Sequence, residues 1–165
     1  MDNDARFLPE LLRQSMRHWV AGVTVVSSQY GELRHGMTVN SFTSISLDPP
    51  LVTVTLANDT RTHALVEQAG WFGVSILSEL QQELSDRFAG RIPEGGDRFA
   101  GVEVVERAGR VPLISGSLAG FECRVVHRFP MAHSTLFIGQ VEDVWHGSEE
   151  QPLVYWNRKY HRMRD

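Results

Sequence analysis

The feature that most constrains this chain is a series of short runs rich in β-branched residues, each cut off by glycine or proline. The runs fall at residues 23–26, 37–42, 51–56, 71–77, 101–106, 120–129 and 135–144, with turn signals such as Asp48-Pro49-Pro50 between them. Strands are predicted there, because β-branched and aromatic side chains suit a pleated, half-buried surface. Helical periodicity is confined to three places. Phe7, Leu8, Leu11, Leu12, Met16, Trp19 and Val20 recur at steps of three and four, an apolar stripe that Ala21-Gly22 ends. Residues 62–68 suit a short helix. Ser78-Glu79-Leu80-Gln81 has the spacing of a capping box and predicts a helix running to about Phe88. Residues 90–98, rich in Gly and charge, read as a surface loop.

So few helices cannot alternate with so many strands, which argues against a doubly wound parallel sheet. A mainly β, antiparallel barrel or sandwich fits better, and barrel closure would remove edges that otherwise need protection. No repeat, linker or low-complexity stretch interrupts the chain, so residues 1–165 read as a single domain of ordinary size.

Charge and cysteine content exclude several classes of function. The 16 Lys and Arg against 20 Asp and Glu leave a net charge of −4, no footprint for gripping a phosphate backbone. Cys123 stands alone and cannot form an intramolecular disulfide, and the first ten residues lack the basic-then-apolar order of a signal peptide. No apolar run approaches the roughly 20 residues of a membrane-spanning helix. A cytoplasmic setting is expected.

Two polar clusters carry the candidate chemistry. In Gly36-Met37-Thr38-Val39-Asn40-Ser41-Phe42-Thr43-Ser44, hydroxyls and an amide stand where a core strand would hold Val or Ile. Alternation points Thr38 and Asn40 to one face and Val39 and Ser41 to the other. The cluster suits either an amphipathic strand with a polar outer face or a strand whose short donors and acceptors meet a flat polar ligand. Residues 56–62 pass from a strand into a helix, and there the first N–H groups, two Thr hydroxyls and Arg61 would seat a phosphate. Ordinary N-capping by Asp59 or Thr60 explains the same residues.

Other chemistries find less support. Cys123 lies in a strand pattern and reads as a buried small hydrophobe rather than a nucleophile. There is no Gly-x-Ser-x-Gly elbow and no metal-ligand spacing among the seven scattered His. Ser115-Gly116-Ser117 and Gly95-Gly96 match no nucleotide-binding glycine fingerprint. The aromatic and cationic segment Tyr155-Trp156-Asn157-Arg158-Lys159-Tyr160-His161 suits either cover over a flat ring or packing at a dimer contact.

Taken in order, these segments resemble the flavin reductase family, the NAD(P)H:flavin oxidoreductase components of two-component monooxygenases. The run from Gly36 through Asp48-Pro49-Pro50-Leu51-Val52 carries the likeness most specifically. Phe72-Gly73-Val74-Ser75-Ile76-Leu77, Glu122-Cys123, His133-Ser134-Thr135-Leu136-Phe137 and Pro152-Leu153-Val154-Tyr155 extend it along nearly the whole chain. The resemblance implies an FMN-binding split barrel, a homodimer, and a flavin beside each barrel near the subunit interface.

By the same resemblance, Thr38, Val39, Asn40 and Ser41 line the flavin ring and ribityl chain, largely through backbone atoms. Ala57, Asn58, Thr60 and Thr62 take the ribityl and phosphate end, and Phe88 forms a further wall. His133 faces flavin and nicotinamide, while Arg158 and Tyr160 close the pocket. One departure stands out: Met131-Ala132 occupy the place where many members carry Gly-Asp, so the turn before His133 lacks that glycine and that acid. The implied activity is hydride transfer from NADH or NADPH to FMN or FAD, with the reduced flavin passing to a partner monooxygenase. A non-catalytic flavin carrier or sensor, and an oxidoreductase that retains its flavin, are the alternatives. Arg87, Arg91, Arg98 and Arg158 are the candidates for the 2′-phosphate of NADPH.

Overall fold

The computed structural model describes residues 7–92, 96–105 and 107–163. Helix α1 (Leu8–Ser15) runs into a 3₁₀ turn at Met16–His18, followed by β1 (Ala21–Gly22), β2 (Thr24–Tyr30), β3 (Leu33–Val39), β4 (Thr43–Leu47) and β5 (Pro50–Ala57). Helix α2 (Arg61–Ala69) leads to β6 (Trp71–Ile76), then a 3₁₀ turn at Glu79–Gln81 and α3 (Gln82–Phe88). The remaining strands are β7 (Val104–Val105), β8 (Leu113–Ile114), β9 (Ala119–Pro130), β10 (Ser134–His146), β11 (Leu153–Trp156) and β12 (Lys159–Arg162).

Seven strands form one antiparallel sheet in the order β3-β2-β6-β9-β10-β5-β4. Its two edge strands, β3 and β4, are consecutive in the chain and are joined only by Asn40, Ser41 and Phe42. Laid flat, six inter-strand steps of about 4.8 Å would hold those edges some 29 Å apart. Four Cα steps from Val39 to Thr43 reach at most about 14 Å. The sheet therefore curls on itself, and the short connection bridges the seam of a barrel. Ser41 staples that seam to β5: its hydroxyl donates to the Thr55 carbonyl at 3.1 Å and accepts from the Thr55 N–H at 3.0 Å.

Core side chains fill both faces of β2. Val26 joins Val54, Leu56, Phe72, Val74 and Phe137 inside the barrel. Its neighbour Val25 faces the other way, into a second cluster with Leu77, Phe88, Phe99 and Leu153. Strand alternation produces this division, and it explains why adjacent valines are both wholly buried. The second cluster is closed by the small sheet β1-β11-β12, from which Tyr155 and Tyr160 pack against it.

Several expected elements stand as read. The capping box forms, with the Ser78 N–H accepted by the Gln81 side chain at 3.1 Å, and the helix ends at Phe88. The helix expected over 62–68 begins one residue earlier and ends one later. The strands expected at 120–129 and 135–144 are β9 and β10, each slightly longer.

Other expectations are corrected. The strand expected over 37–42 ends at Val39, because residues 40–42 must cross the seam; the face alternation drawn for Asn40 and Ser41 therefore does not apply. Strand β4 lies in the polar stretch that follows, and β11 and β12 form a hairpin where no strands were expected. That hairpin turns through Asn157 (φ 48°) and Arg158 (φ 63°), two left-handed residues without the glycine that usually announces such a turn. The strand expected over 101–106 shrinks to β7, and Glu106 lies outside the described residues, as do residues 93–95 of the expected loop. The N-terminal helix stops at Ser15, and its apolar stripe faces outward: Phe7, Leu12 and Trp19 are 59%, 64% and 68% exposed.

Gly139 on β10 shows how tightly the barrel is filled, since a Cβ there would run into the Phe72 ring and lie 2.9 Å from the Cys123 Cβ. Overpacking of this kind costs about 1–3 kcal/mol. Gly139→Ala is expected to lower the melting temperature by several degrees in calorimetry, and an unchanged transition would show that the barrel has slack at this point.

Candidate functional site

The N-terminal end of α2, the last residues of β3 and the end of α3 enclose a cleft of about 610 Å³. Thr38, Thr60, Arg61, Phe88, Ala89 and Arg98 are among its walls. A smaller recess of about 180 Å³ shares Thr38 and Ala89 with it and adds Val39, Asn40, Tyr155 and Tyr160. The two open side by side at the point where β3 gives way to the seam. Asn40, Ser41 and Phe42 pair with no strand among the described residues, so their backbone groups are available at this rim.

Most polar side chains here are committed to the scaffold. The Thr38 hydroxyl donates to the Ser85 carbonyl at 2.7 Å. The Ser85 hydroxyl lies 2.7 Å from the Tyr160 phenol oxygen, which also accepts from Arg91 at 3.3 Å. Arg91 in turn pairs with Asp86 at 2.8 Å. Burial pushes the Tyr160 phenol above its ordinary pKa, against the opposing pull of Ser85 and Arg91, so it stays neutral at the rim.

Thr60 is the N-cap of α2. Its hydroxyl accepts from the His63 N–H at 3.2 Å and donates to the Ala57 carbonyl at 2.9 Å, so of the two capping candidates the structure uses Thr60 rather than Asp59. Thr62, two residues past the cap, is wholly buried and meets the His35 ring at 2.8 Å. It therefore supports a cleft residue from behind rather than facing the cleft itself.

Asn58 turns away from the cleft and ties down the turn that carries His133. Its backbone N–H donates to the His133 carbonyl at 3.1 Å, and its side-chain amide donates to the Met131 carbonyl at 3.1 Å. Its amide oxygen accepts from the Thr135 hydroxyl at 2.9 Å. That hydroxyl has only one hydrogen, so its 2.9 Å contact with His63 Nε2 is donated by the ring, which fixes Nε2 as a protonated nitrogen. Met131 and Ala132 thus sit in a turn held by Asn58 in place of a glycine or an acid. The His133 side chain is exposed on that turn and lines neither cavity.

The structure thus gathers Thr38, Val39, Asn40, Thr60, Phe88 and Tyr160 at the two cavities. Ser41 stands at the seam beside them, while Ala57, Asn58 and Thr62 form the support beneath. Arg158 lies exposed at the tip of the β11–β12 hairpin and lines neither cavity.

Among the cations, Arg87 donates to the Ala100 carbonyl at 2.7 Å, and Arg98 to the Phe88 carbonyl at 2.8 Å. Arg61 differs. It lines the large cleft and makes no hydrogen bond or ion pair among the described residues. The sequence signal for it was its place directly after the capping Thr60, and His35 and Ala89 gave no such signal. Cys123 is buried in β9, where burial pushes its thiol far up and keeps it protonated.

These features coincide with what comparison finds. The flavin reductase like domain matches residues 16–164, and the chain belongs to that family. It is 36% identical over 156 residues to the reductase component of 4-hydroxyphenylacetate 3-monooxygenase from Thermus thermophilus, covering 94% of this chain and 97% of that protein. It is 37% identical over 163 residues to an NADH-dependent flavin reductase of Rhodococcus, covering 97% and 89%. Among solved structures, the styrene monooxygenase flavin reductase of Pseudomonas putida superposes with a TM-score of 0.83 at 38% identity, covering 93% of this chain and 97% of that one. The fold is accordingly the split barrel of these reductases.

A thiol held in this state should be inert. Native protein at pH 8 is expected to leave Ellman's reagent unreduced, with one thiol per chain appearing in denaturant; rapid reaction of the native protein would contradict the burial of Cys123.

Proposed function

We propose that this chain is an NAD(P)H-dependent flavin reductase, an oxidoreductase that moves a hydride from NADH or NADPH to FMN or FAD and releases reduced flavin to a separate monooxygenase component. The observation that carries this reading is the cleft at the barrel seam, with backbone outside any strand ladder on one side and, on the other, Arg61, which has no hydrogen bond or ion pair among the described residues. Family membership and relatives named as monooxygenase reductase components support it. Residues 1–165 then work as one flavin-reductase-like domain. The outward apolar stripe of α1 supports a homodimer, since exposed apolar patches of this kind mark interaction surfaces. No described helix is long and apolar enough to cross a membrane.

The residues present fit a flavin. A cleft of about 610 Å³ lies in the size range of ligand sites, roughly 300–1,000 Å³, and its walls mix Met37, Phe88 and Ile92 with Thr38, Thr60 and the guanidinium groups of Arg61 and Arg98, a lining suited to a flat ring that carries an anionic tail. When bound, flavin supplies the ring system that accepts the hydride. Asn40 and Ser41 offer backbone N–H and C=O groups to the ring edge, and Thr38 and Val39 shape the floor beneath it. Phe88 keeps water from one side. Arg61 and the start of α2 at Thr60 hold the phosphate, the guanidinium by its paired donors. Neutral Tyr160 bounds the smaller recess. His133, on the turn anchored by Asn58, is the candidate contact for the nicotinamide. No side chain need act as acid or base, because positioning two flat rings supplies the acceleration.

Purified protein is expected to oxidise NADH or NADPH at a rate that depends on added FMN or FAD; no oxidation with either flavin would overturn the proposal. A charge-assisted hydrogen bond contributes about 1.5–3 kcal/mol. Arg61→Ala should therefore raise the KM for FMN by about tenfold or more while leaving that for riboflavin, which lacks the phosphate, nearly unchanged. An equal rise for both would remove Arg61 from the phosphate seat. His133→Ala should lower kcat more than flavin affinity, and matched losses in both would make it a packing residue.

A further inference from the structure

The turn between β9 and β10 carries His133, and its own residues Met131 and Ala132 lack the glycine and the acid of the family pattern. Met131, Ala132 and His133 are all exposed. The turn closes on itself through the Met131 N–H, which donates to the Ser134 carbonyl at 2.8 Å. Its anchor lies across the β5–β10 pairing, at Asn58. The Asn58 N–H donates to the His133 carbonyl and its side-chain amide to the Met131 carbonyl, each at 3.1 Å. A single residue thereby grips the chain on either side of Ala132.

Asn58 is itself exposed, and an amide free to rotate would exchange these bonds for water. Thr135 selects its orientation. With Nδ2 on the Met131 carbonyl, Oδ1 faces the Thr135 hydroxyl, which is 3% exposed and gives its one hydrogen there at 2.9 Å. The hydroxyl oxygen is then left to accept from His63 Nε2, 2.9 Å away. His63 is seated by its ring against Phe137, centroids 5.4 Å apart, and by its backbone N–H on the Thr60 hydroxyl. The donors run one way, from His63 through Thr135 and Asn58 to the turn, and each direction is forced by the next. Removing the hydroxyl in the middle would free both ends.

We propose that His63, Thr135 and Asn58 are positioning residues for His133. Their relay begins on the first turn of α2, beside the cap residue Thr60 that lines the large cleft, and ends on the two carbonyls that bracket Ala132. None of the three lines either cavity, so any effect on turnover passes through the turn they hold. The inference rests on the flavin reductase reading, which makes His133 the contact for the nicotinamide. Asn58 supplies from a neighbouring loop the hold that Met131 and Ala132 do not. The relay uses the His63 ring, whereas the phosphate seat uses Arg61 and the start of α2. Loss of the relay should therefore slow turnover and leave flavin binding as it is.

Thr135→Val keeps the shape of the side chain and removes its hydroxyl, and His63→Phe keeps a ring against Phe137 and removes the N–H. Circular dichroism checks that both fold, and NADH oxidation is followed with FMN. Each variant is expected to lower kcat about tenfold with the KM for FMN nearly unchanged, and Thr135→Ser, which restores a hydroxyl, to recover the parent rate. In a His133→Ala background Thr135→Val should cause no further loss, because no imidazole is left to aim. Full kcat in either folded variant, a Thr135→Ser protein as slow as Thr135→Val, or a loss that persists in the His133→Ala background would overturn the proposal. Hydrogen exchange at the Met131 amide gives a readout without turnover: it should quicken about tenfold in Thr135→Val and hold in Thr135→Ser. Unchanged exchange in Thr135→Val would likewise overturn the relay. Failure of the reductase reading would look different, with no NADH oxidation by the parent protein on either flavin while exchange at Met131 still responds to Thr135→Val.

Discussion

The structure depends on one geometric constraint: three residues must join the two edge strands of a seven-stranded sheet. A flat sheet cannot satisfy it, so the sheet rolls, and the connection becomes a seam where the ladder is interrupted. The proposed contacts to the flavin ring, at Thr38, Val39, Asn40 and Ser41, lie beside that interruption. Asn40 and Ser41 pair with no strand among the described residues because they cross it, and the two bonds between the Ser41 hydroxyl and the Thr55 backbone hold it in register. A barrel closed by a full ladder would have no such edge to offer a ligand.

A second principle governs the polar side chains around the cleft. Thr38, Thr60, Ser85, Arg91 and Arg98 spend their hydrogen bonds on carbonyls, a helix cap and one another. Backbone at the seam, apolar wall, the Asn40 amide and Arg61 are left to meet a ligand among the described residues. Such a site recognises shape and one anionic group without a web of side-chain bonds to break when the ligand departs. That balance suits a protein that hands its product on, since few contacts need to be undone at each release.

Much of this was legible in the sequence where a local rule decides the outcome. The capping box at Ser78 and the buried Cys123 follow from spacing and residue type alone, and a cap at Asp59 or Thr60 was legible although only the structure selects Thr60. An antiparallel barrel or sandwich was legible because so many short β-branched runs leave few other options, and the choice of a split barrel came from the resemblance to the flavin reductase family. What escaped depended on contacts between distant residues. Strand β4 is written in Thr and Ser, and it pairs because the turn at Asp48-Pro49 brings β5 back along it, with Leu47 opposite Pro50. The β11–β12 hairpin turns through Asn157 and Arg158 without a glycine. Asn58 and Thr62 sit in the motif that suggested flavin contacts, yet their side chains serve the β9–β10 turn and His35 instead. Motif membership marks the neighbourhood of a site, and only packing tells which side chains face it.

The central claim is that the seam connection builds the flavin site, and the most direct measurement is flavin affinity in a variant whose seam alone is loosened. Ser41→Ala removes the staple to Thr55, whereas Val74→Ala weakens the barrel core away from the seam. Fluorescence titration of both folded variants with FMN and FAD compares them. The account predicts that Ser41→Ala loses about tenfold or more in flavin affinity while Val74→Ala, although less stable, binds as the parent does. Equal affinities in the two variants would contradict it.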